Sequence, residues 1–289
     1  MSDDSRSILR FLPLLACASM LALAPAHAHA QEGASTSRSA VAPGITVDGR
    51  VALHSLVSLS DGHLQETADA LALLAGLEAV RSGDWDRVRG PLAEAARVTV
   101  PAIHWFALPD GTYWTLEGGR ATSSLSDRAY FPRVLRGETV VGALVVSHSS
   151  GRNTAIVAVP VRGPGGAVVA VLGNSVHLDS LAGRIRQEMG GLGGGLLFYA
   201  IDADGLGALN SDPGLIFTEP MKLGDEGMRR AFAEMLAARE GTVTYTFRGS
   251  RRTVLYRRSP VTGWWYGFGR AEGSSAATED VPERKGGTR

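Results

Sequence analysis

The feature of this sequence that most restricts its fold is an order of patterns that occurs twice. In each copy, an apolar run is followed by an Asp-Gly turn, a helical stretch and three runs typical of β-strands. The two turns, at Asp110 and Asp204, are 94 residues apart. That spacing exceeds the roughly 20 to 50 residues of a solenoid repeat. The sequence therefore predicts two copies of one small α+β module.

The first copy begins with a β-hairpin. Apolar and polar residues alternate at 103–108 and again at 113–116, and the intervening Pro-Asp-Gly-Thr segment has the composition of a turn. A short helical region at 126–135 follows. Three runs rich in β-branched residues come next, at 139–147, 154–162 and 167–173. Because Gly-Pro-Gly-Gly joins the last two runs, we expect them to pair in antiparallel fashion.

The second copy repeats this order. It begins with a strand at 196–201 and continues with a helix at 225–239. Three further strands follow, at 242–248, 253–259 and 264–270. We therefore place one module at 101–189 and the other at 196–270, joined by a glycine-rich hinge at 190–195.

The N-terminus has the pattern of a secretory signal peptide, which we place at 1–30. Two arginines among the first ten residues precede an apolar run at 11–25, shorter than the roughly 20 residues that span a bilayer as a helix. The Ala-His-Ala sequence at 28–30 supplies the small residues needed for cleavage. A lipoprotein signal acylated at Cys17 is the alternative, but it would leave a very short apolar region before the cysteine.

Three further segments lie outside the modules. Small and polar residues at 31–46 predict a disordered leader, and apolar residues at helical spacing predict an N-terminal helical segment at 47–100. The polar, charged tail at 271–289 is predicted to be disordered. No run after the signal peptide is long and apolar enough to span a membrane, so we expect a periplasmic or secreted protein.

The composition argues against several classes of function. The single cysteine, Cys17, lies within the signal peptide, so the exported chain can form neither a disulfide nor a thiolate metal site. With 29 basic and 29 acidic residues, the chain lacks the excess of Lys and Arg typical of nucleic-acid binding. No His-Glu-x-x-His, phosphate-loop or nucleophile-elbow motif is present. We therefore expect no metal, no cofactor and no catalytic residues.

The order of these motifs resembles that of the double Cache family (dCache, PAS-like PDC) of extracytoplasmic sensor domains. The resemblance covers about residues 47–270, and it depends on the order and spacing of short motifs. These are Leu-Pro-Asp-Gly-Thr at 108–112, Ser-Asp-Arg-Ala-Tyr-Phe at 126–131, Ser-Gly-Arg at 150–152, Ile-Asp-Ala-Asp-Gly at 201–205, Gly-Thr-Val-Thr-Tyr at 241–245 and Thr-Gly-Trp-Trp at 262–265. The resemblance implies a long N-terminal helix followed by two PAS-like modules, each a mainly antiparallel sheet with covering helices.

The resemblance also implies a binding protein rather than an enzyme. The first module corresponds to the membrane-distal module, which in the family holds a small molecule. Family members usually continue into a kinase, cyclase or chemotaxis module, so a stand-alone soluble form would signal through a membrane-bound partner protein. Dimerisation through the N-terminal helix is a further expectation. Two alternatives stay open: a structural or interaction protein of the same fold without a ligand, and a periplasmic hydrolase.

Nine residues are candidates for the ligand site. By the resemblance, the segment at 127–131 faces the ligand, and a guanidinium and aromatic rings suit a small carboxylate. The hairpin adds two aromatic candidates, and strand ends add three polar ones. The candidates are Arg128, Tyr130, Phe131, Trp105, Tyr113, Asp127, Ser147, Asn174 and Ser175.

One position departs from the family pattern. Amino-acid-binding members have an aspartate that meets the ligand's ammonium group close to the place where this sequence has Ser175. A neutral hydroxyl leaves an ammonium group without a charge partner. The resemblance therefore implies a carboxylate or another small polar solute rather than an α-amino acid.

Overall fold

The computed structural model describes residues 48–193 and 195–272. The predicted signal peptide, with Cys17, and the predicted leader at 31–46 lie outside these residues, as does the tail beyond Glu272. Within the described residues, no helix is long and apolar enough to cross a membrane.

Three helices form the N-terminal segment: α1 (Gly49–Ala75), α2 (Glu78–Arg81) and α3 (Trp85–Ala96). The Asp48 carboxylate accepts a hydrogen bond from the backbone NH of Arg50 at 2.8 Å and so caps the start of α1. Apolar residues at spacings of three and four give α1 one buried stripe. The buried apolar residues of this stripe include Leu53, Leu56, Leu64, Ala68 and Leu71.

The first module contains a six-stranded antiparallel sheet in the order β3-β2-β1-β6-β5-β4. Its elements are β1 (Ala102–Ala107), β2 (Tyr113–Thr115), β3 (Gly119–Arg120), α4 (Phe131–Leu135), β4 (Val140–Val146), β5 (Asn153–Arg162), β6 (Val168–His177) and α5 (Leu178–Glu188). The β1–β2 hairpin closes at Gly111, whose φ of 87° favours glycine. Strand β1 pairs with β6, so the start and the end of the module meet at the centre of the sheet.

The second module contains a five-stranded antiparallel sheet in the order β8-β7-β11-β10-β9. Its elements are β7 (Leu196–Ile201), β8 (Gly207–Asn210), a 3₁₀ turn (Pro213–Leu215), α6 (Pro220–Leu223), α7 (Glu226–Ala237), β9 (Glu240–Phe247), β10 (Ser250–Arg258) and β11 (Trp265–Glu272). Here β7 pairs with β11 as β1 pairs with β6. The two sheets therefore share one topology.

Each sheet has two covered faces. One core contains the stripe of α1 together with side chains from both sheets, among them Phe106, Leu172, Phe198 and Tyr266. The opposite face of the first sheet packs against α4, and that of the second packs against α7. We call the face of each sheet turned away from α1 its outer face.

The α+β fold predicted from the sequence is confirmed, with a long N-terminal helix followed by two modules built on antiparallel sheets. Three local predictions differ from the structure. The helical region predicted at 126–135 is helical only from Phe131, because turns occupy the residues before it. Strand β6 continues to His177 rather than ending at Gly173, and β11 includes Ala271 and Glu272 of the predicted tail, because both strands pair with neighbours there.

Candidate functional site

The outer face of the first sheet brings together several of the predicted site residues. Because side chains alternate across a strand, Trp105 of β1 and Gly173 and Ser175 of β6 lie on this face, while Phe106 and Leu172 point toward α1. The rest of the cluster is apolar and aromatic. Its buried members are Trp105, Ala107, Tyr113, Leu125, Tyr130, Phe131, Val134, Val140, Ile156, Ala158 and Val171.

Trp105 lies at the centre of this face, directly over Gly173. A methyl group at position 173 would overlap the Cζ2, Cη2 and Cε2 atoms of the indole, so only glycine leaves room for this contact. The indole Nε1 donates a hydrogen bond to the Ser175 hydroxyl at 3.2 Å. The ring centroids of Trp105 and Tyr130 are 6.4 Å apart. Since the Trp105 side chain is only 2% exposed, the face is covered by the protein's own side chains.

Two more aromatic residues close the cluster. Phe131, at the start of α4, is buried beside Tyr130, and Tyr113 enters from β2. The Tyr113 hydroxyl forms a hydrogen bond with the Ser123 hydroxyl at 2.9 Å. Burial raises the pKa of Tyr130 above its ordinary value, although the positive charge of Arg128 partly opposes this rise. Tyr130 therefore remains a neutral hydrogen-bonding group near pH 7.

Arg128 and Asp127 lie at the rim of the cluster. Arg128 is half-buried, and its Nη2 donates to the backbone carbonyl of Val146 at 2.8 Å. Asp127 is exposed, and its Oδ2 lies 3.8 Å from the Nε2 of His148. Ser147, at the end of β4, is buried, and its hydroxyl is 3.1 Å from that of Ser149. Among the described carboxylates, none forms an ion pair with Arg128.

Asn174 does not join this cluster, because it follows Gly173 on β6 and points to the other face of the sheet. Its cross-strand neighbours are His104 and Val157. The Asn174 side chain is fully buried, and within the described residues neither its Oδ1 nor its Nδ2 has a hydrogen-bond partner. Burial lowers the pKa of the neighbouring His104 to about 4, so this imidazole is neutral near pH 7. Asn174 therefore belongs to the layer between the sheet and α1.

The outer face presents aromatic and hydrogen-bonding groups. Indole, phenol and hydroxyl groups line it, a guanidinium stands at the rim, and aromatic and polar groups of this kind typically line small-molecule sites. In the described part of the chain, no group of three or more His, Cys, Asp or Glu side chains could hold a metal ion. Within the same residues, no histidine is hydrogen-bonded to a serine hydroxyl, so the pairing required by a serine hydrolase does not occur there.

Sequence reasoning missed two residues of this site, Gly173 and Ser123. For Gly173, the sequence repeat does contain an indication of its role. Tyr199 and Gly267 of the second module follow Trp105 and Gly173 at the same spacing of 94 residues as the two Asp-Gly turns, and they form the equivalent cross-strand pair. A methyl group at position 267 would lie 2.6 Å from Cζ of Tyr199. Both modules thus place an aromatic ring over a glycine of the neighbouring strand. No comparable signal points to Ser123.

No protein-family model matches the chain, and no curated protein matches it. Solved structures do match. The ligand-binding domain of the amino acid chemoreceptor PctB of Pseudomonas aeruginosa, in complex with L-Arg, is 15% identical with a TM-score of 0.61, and the match covers 78% of this chain and 97% of that one. The ligand-binding domain of the chemoreceptor CtaA of Pseudomonas fluorescens, in complex with L-alanine, is 15% identical with a TM-score of 0.58, covering 78% and 95%.

A third structure is the periplasmic sensory domain of the Campylobacter jejuni chemoreceptor Tlp1. It is 12% identical with a TM-score of 0.58, and the match covers 75% of this chain and 91% of that one. All three are named as ligand-binding or sensory domains. This chain therefore has the fold of these chemoreceptor ligand-binding and sensory domains.

Proposed function

We propose that this protein is an exported sensor domain that binds a small anionic or polar solute on the outer face of its first module and signals through a partner protein. The observation that carries the proposal is the arrangement around Trp105, in which one indole lies directly over Gly173, next to hydroxyl groups and a guanidinium at the rim. A ligand that displaces the indole would gain the aromatic walls, the Ser175 hydroxyl and Arg128.

The charges around the site favour a carboxylate. Arg128 uses one hydrogen bond to hold a backbone carbonyl, and a guanidinium has further donors that can bind a carboxylate in bidentate fashion. Ser175 accepts a hydrogen bond from Trp105, so its own proton can be donated to a ligand. The cluster contains no carboxylate of its own, and the exposed Asp127 at the rim faces His148. An ammonium group would therefore lack a charge partner inside the site.

Signalling requires two states whose populations depend on the ligand. In the state described here, Trp105 fills the outer face; in the other, the ligand takes that volume and the indole moves. Arg128 is hydrogen-bonded to the carbonyl of Val146 at the end of β4, so a ligand that binds Arg128 would change its contact with that strand. A partner protein responds only if it binds the two states with different affinities. The partner is proposed to be a membrane-bound signalling protein.

The test is a thermal-shift screen of the purified protein against carboxylates, amines, amino acids and purines. A ligand present at about 100 times its Kd stabilises the folded state by about 2.7 kcal/mol. For a domain of this size, that raises Tm by roughly 5–10 °C. We expect a carboxylate to produce such a shift, and Arg128→Ala to abolish it while the Tm of the free protein changes little. The matched control is Arg120→Ala, an exposed arginine of the same sheet.

The second candidate is a structural or interaction protein that has this fold but binds no ligand. The observation in its favour is that Trp105 and Tyr130 fill the outer face and leave both rings almost fully buried. The screen separates the two functions. If no compound raises Tm, the sensor proposal fails and the structural role is favoured.

A further inference from the structure

The outer face of the second module contains a cavity that the proposed function does not use. It has a volume of about 20 Å³ and lies between the sheet, α7 and the segment that carries the 3₁₀ turn and α6. Most of its lining is apolar, including Leu209, Leu215, Leu223, Met228 and Phe232. A volume of that size accommodates about one water molecule. The cavity is therefore small and preformed.

One charged side chain, Arg252 of β10, also lines this cavity. Its Nε is fully buried and has no hydrogen-bond partner among the described residues. Its guanidinium carbon lies 4.7 Å from the ring centroid of Phe247, so the planar group is held against an aromatic face. Arg252 forms no ion pair with any carboxylate in the described part of the chain. A half-buried positive charge without a counter-ion is unfavourable unless an anion compensates it.

Two tyrosine side chains line the cavity together with Arg252. Tyr245 of β9 is the direct cross-strand partner of Arg252, and Tyr199 of β7 also lines the cavity. Phe232 of α7 lies between them, with its ring centroid 5.4 Å from each tyrosine ring. The Tyr199 hydroxyl donates to the Met235 sulfur at 3.8 Å, and it also interacts with the Tyr245 hydroxyl, which in turn interacts with Arg252. Because sulfur is a weak acceptor, these hydroxyls can rearrange toward a better one.

We propose that the second module binds a short-chain monocarboxylate of two or three carbon atoms in this cavity. The carboxylate lies against Arg252 and Tyr245, and the hydrocarbon end lies against Phe232, Met228 and Leu223. Two observations point to this class of ligand. Arg252 supplies a single positive charge, which suits one carboxylate, and most of the other lining side chains are apolar, which suits a short hydrocarbon chain; the small volume favours the shortest acids.

The ligand is larger than one water molecule, so the cavity must widen slightly when it binds. Leu223 of α6 is 50% exposed, so its outward movement uncovers little buried surface. Met228 is unbranched and can change rotamer at small cost. The widening therefore involves the short segment before α7 rather than the sheet. This site is in a different module from the proposed sensor site and does not depend on it.

The experiment is isothermal titration calorimetry of the purified protein with sodium propionate and with neutral propionamide. For a ligand of five non-hydrogen atoms we expect a propionate Kd between about 10 µM and 1 mM. Arg252→Met should weaken propionate binding at least tenfold, because it removes a charge-assisted hydrogen bond. Propionamide should bind the wild type at least tenfold more weakly than propionate for the same reason. The matched control is Arg251→Met, since Arg251 is the exposed neighbour on the same strand and should leave the affinity unchanged.

Tyr245→Phe keeps the ring and removes only the hydroxyl, so it tests the site even if Arg252→Met does not fold. We expect it to weaken propionate binding several-fold. Three results would each overturn the proposal: no binding at about ten times the weakest expected Kd, equal affinities for the Arg252→Met and Arg251→Met variants, or equal affinities for propionate and propionamide. Binding that is lost in Arg128→Ala but kept in Arg252→Met would place the carboxylate in the first module and would also overturn it.

Discussion

The contact between Trp105 and Gly173 can be tested by one methyl group. Gly173→Ala places a Cβ where three atoms of a buried, rigid indole now lie. The ring must move, and the hydrogen bond from its Nε1 to the Ser175 hydroxyl is then lost. Overpacking of a core costs about 1–3 kcal/mol, and a lost hydrogen bond costs about 1 kcal/mol. We expect the free energy of unfolding to fall by about 2–4 kcal/mol.

For a domain of this size, that loss lowers Tm by roughly 5–15 °C, as measured by differential scanning calorimetry. Gly183→Ala is the matched control. Gly183 is exposed on α5, and no atom lies within 4 Å of a Cβ built there. Because alanine is the better helix former, the free energy of unfolding of this variant should rise by about 0.5–1 kcal/mol. The two substitutions are chemically identical, so if stability falls in one variant and rises in the other, the contact with the indole accounts for the difference. A Gly173→Ala variant as stable as the wild type would refute the packing described here.

Three further predictions concern stability. Ser259→Ala removes the hydroxyl that donates to both carboxylate oxygens of the buried Asp61 at 2.8 Å. The free energy of unfolding, measured with urea, should fall by about 2 kcal/mol. A fall no larger than that of Ser55→Ala, which removes an exposed hydroxyl, would contradict this prediction. Burial raises the pKa of Asp61, so the wild-type protein loses stability as pH rises through that pKa and the carboxyl ionises. The stability of Asp61→Asn should not fall in this way, so the variant should become more stable relative to the wild type as pH rises. A difference in stability between the two proteins that does not change with pH would contradict this prediction. Burial lowers the pKa of His104 to about 4, so the stability of the wild-type protein should fall as pH drops from about 6.5 to about 4. His104→Gln should lose less stability over that range. If the stabilities of the two proteins changed with pH in parallel, this prediction would be wrong.

Much of the fold could be predicted from local patterns. The alternation at 103–108 and the Asp-Gly turn that follows it give the first hairpin, and the β-branched runs give the long strands. The strand ends were less predictable, because His177 and Glu272 extend their strands by pairing with residues far away in the chain. Strand β8 and helix α6 were not predicted, since each is only four residues long and carries little periodicity.

The candidate site was predictable in residue type but not in arrangement. Alternation places Asn174 and Ser175 on opposite faces of β6, so both could not meet one ligand by direct contact. The sequence alone does not say which face is covered by α1. That assignment depends on where the stripe of α1 packs, and α1 lies more than 90 residues before β6 in the chain. The structure places Ser175 with Trp105 and Asn174 with His104.

The second module shows the same limit. In the sequence, Arg252 is one of several arginines near a strand, and neither its type nor its spacing distinguishes it from the exposed Arg251. In the structure, Arg252 lines the cavity beside Tyr245, while Arg251 faces the solvent. The alternation of side chains along a strand predicts that adjacent residues face opposite sides of the sheet. Only the packing of the rest of the protein shows which of the two sides is buried.

The class of fold and the repeat of one module can be predicted from the sequence alone, because periodicity, turn residues and the 94-residue spacing are local or regular properties that can be read along the chain. Which side chains meet depends instead on the tertiary structure. Trp105 and Gly173 are far apart in sequence and come together because β1 and β6 pair at the centre of the sheet. Such contacts depend on the joint packing of helix, sheet and loops, and no single segment carries that information.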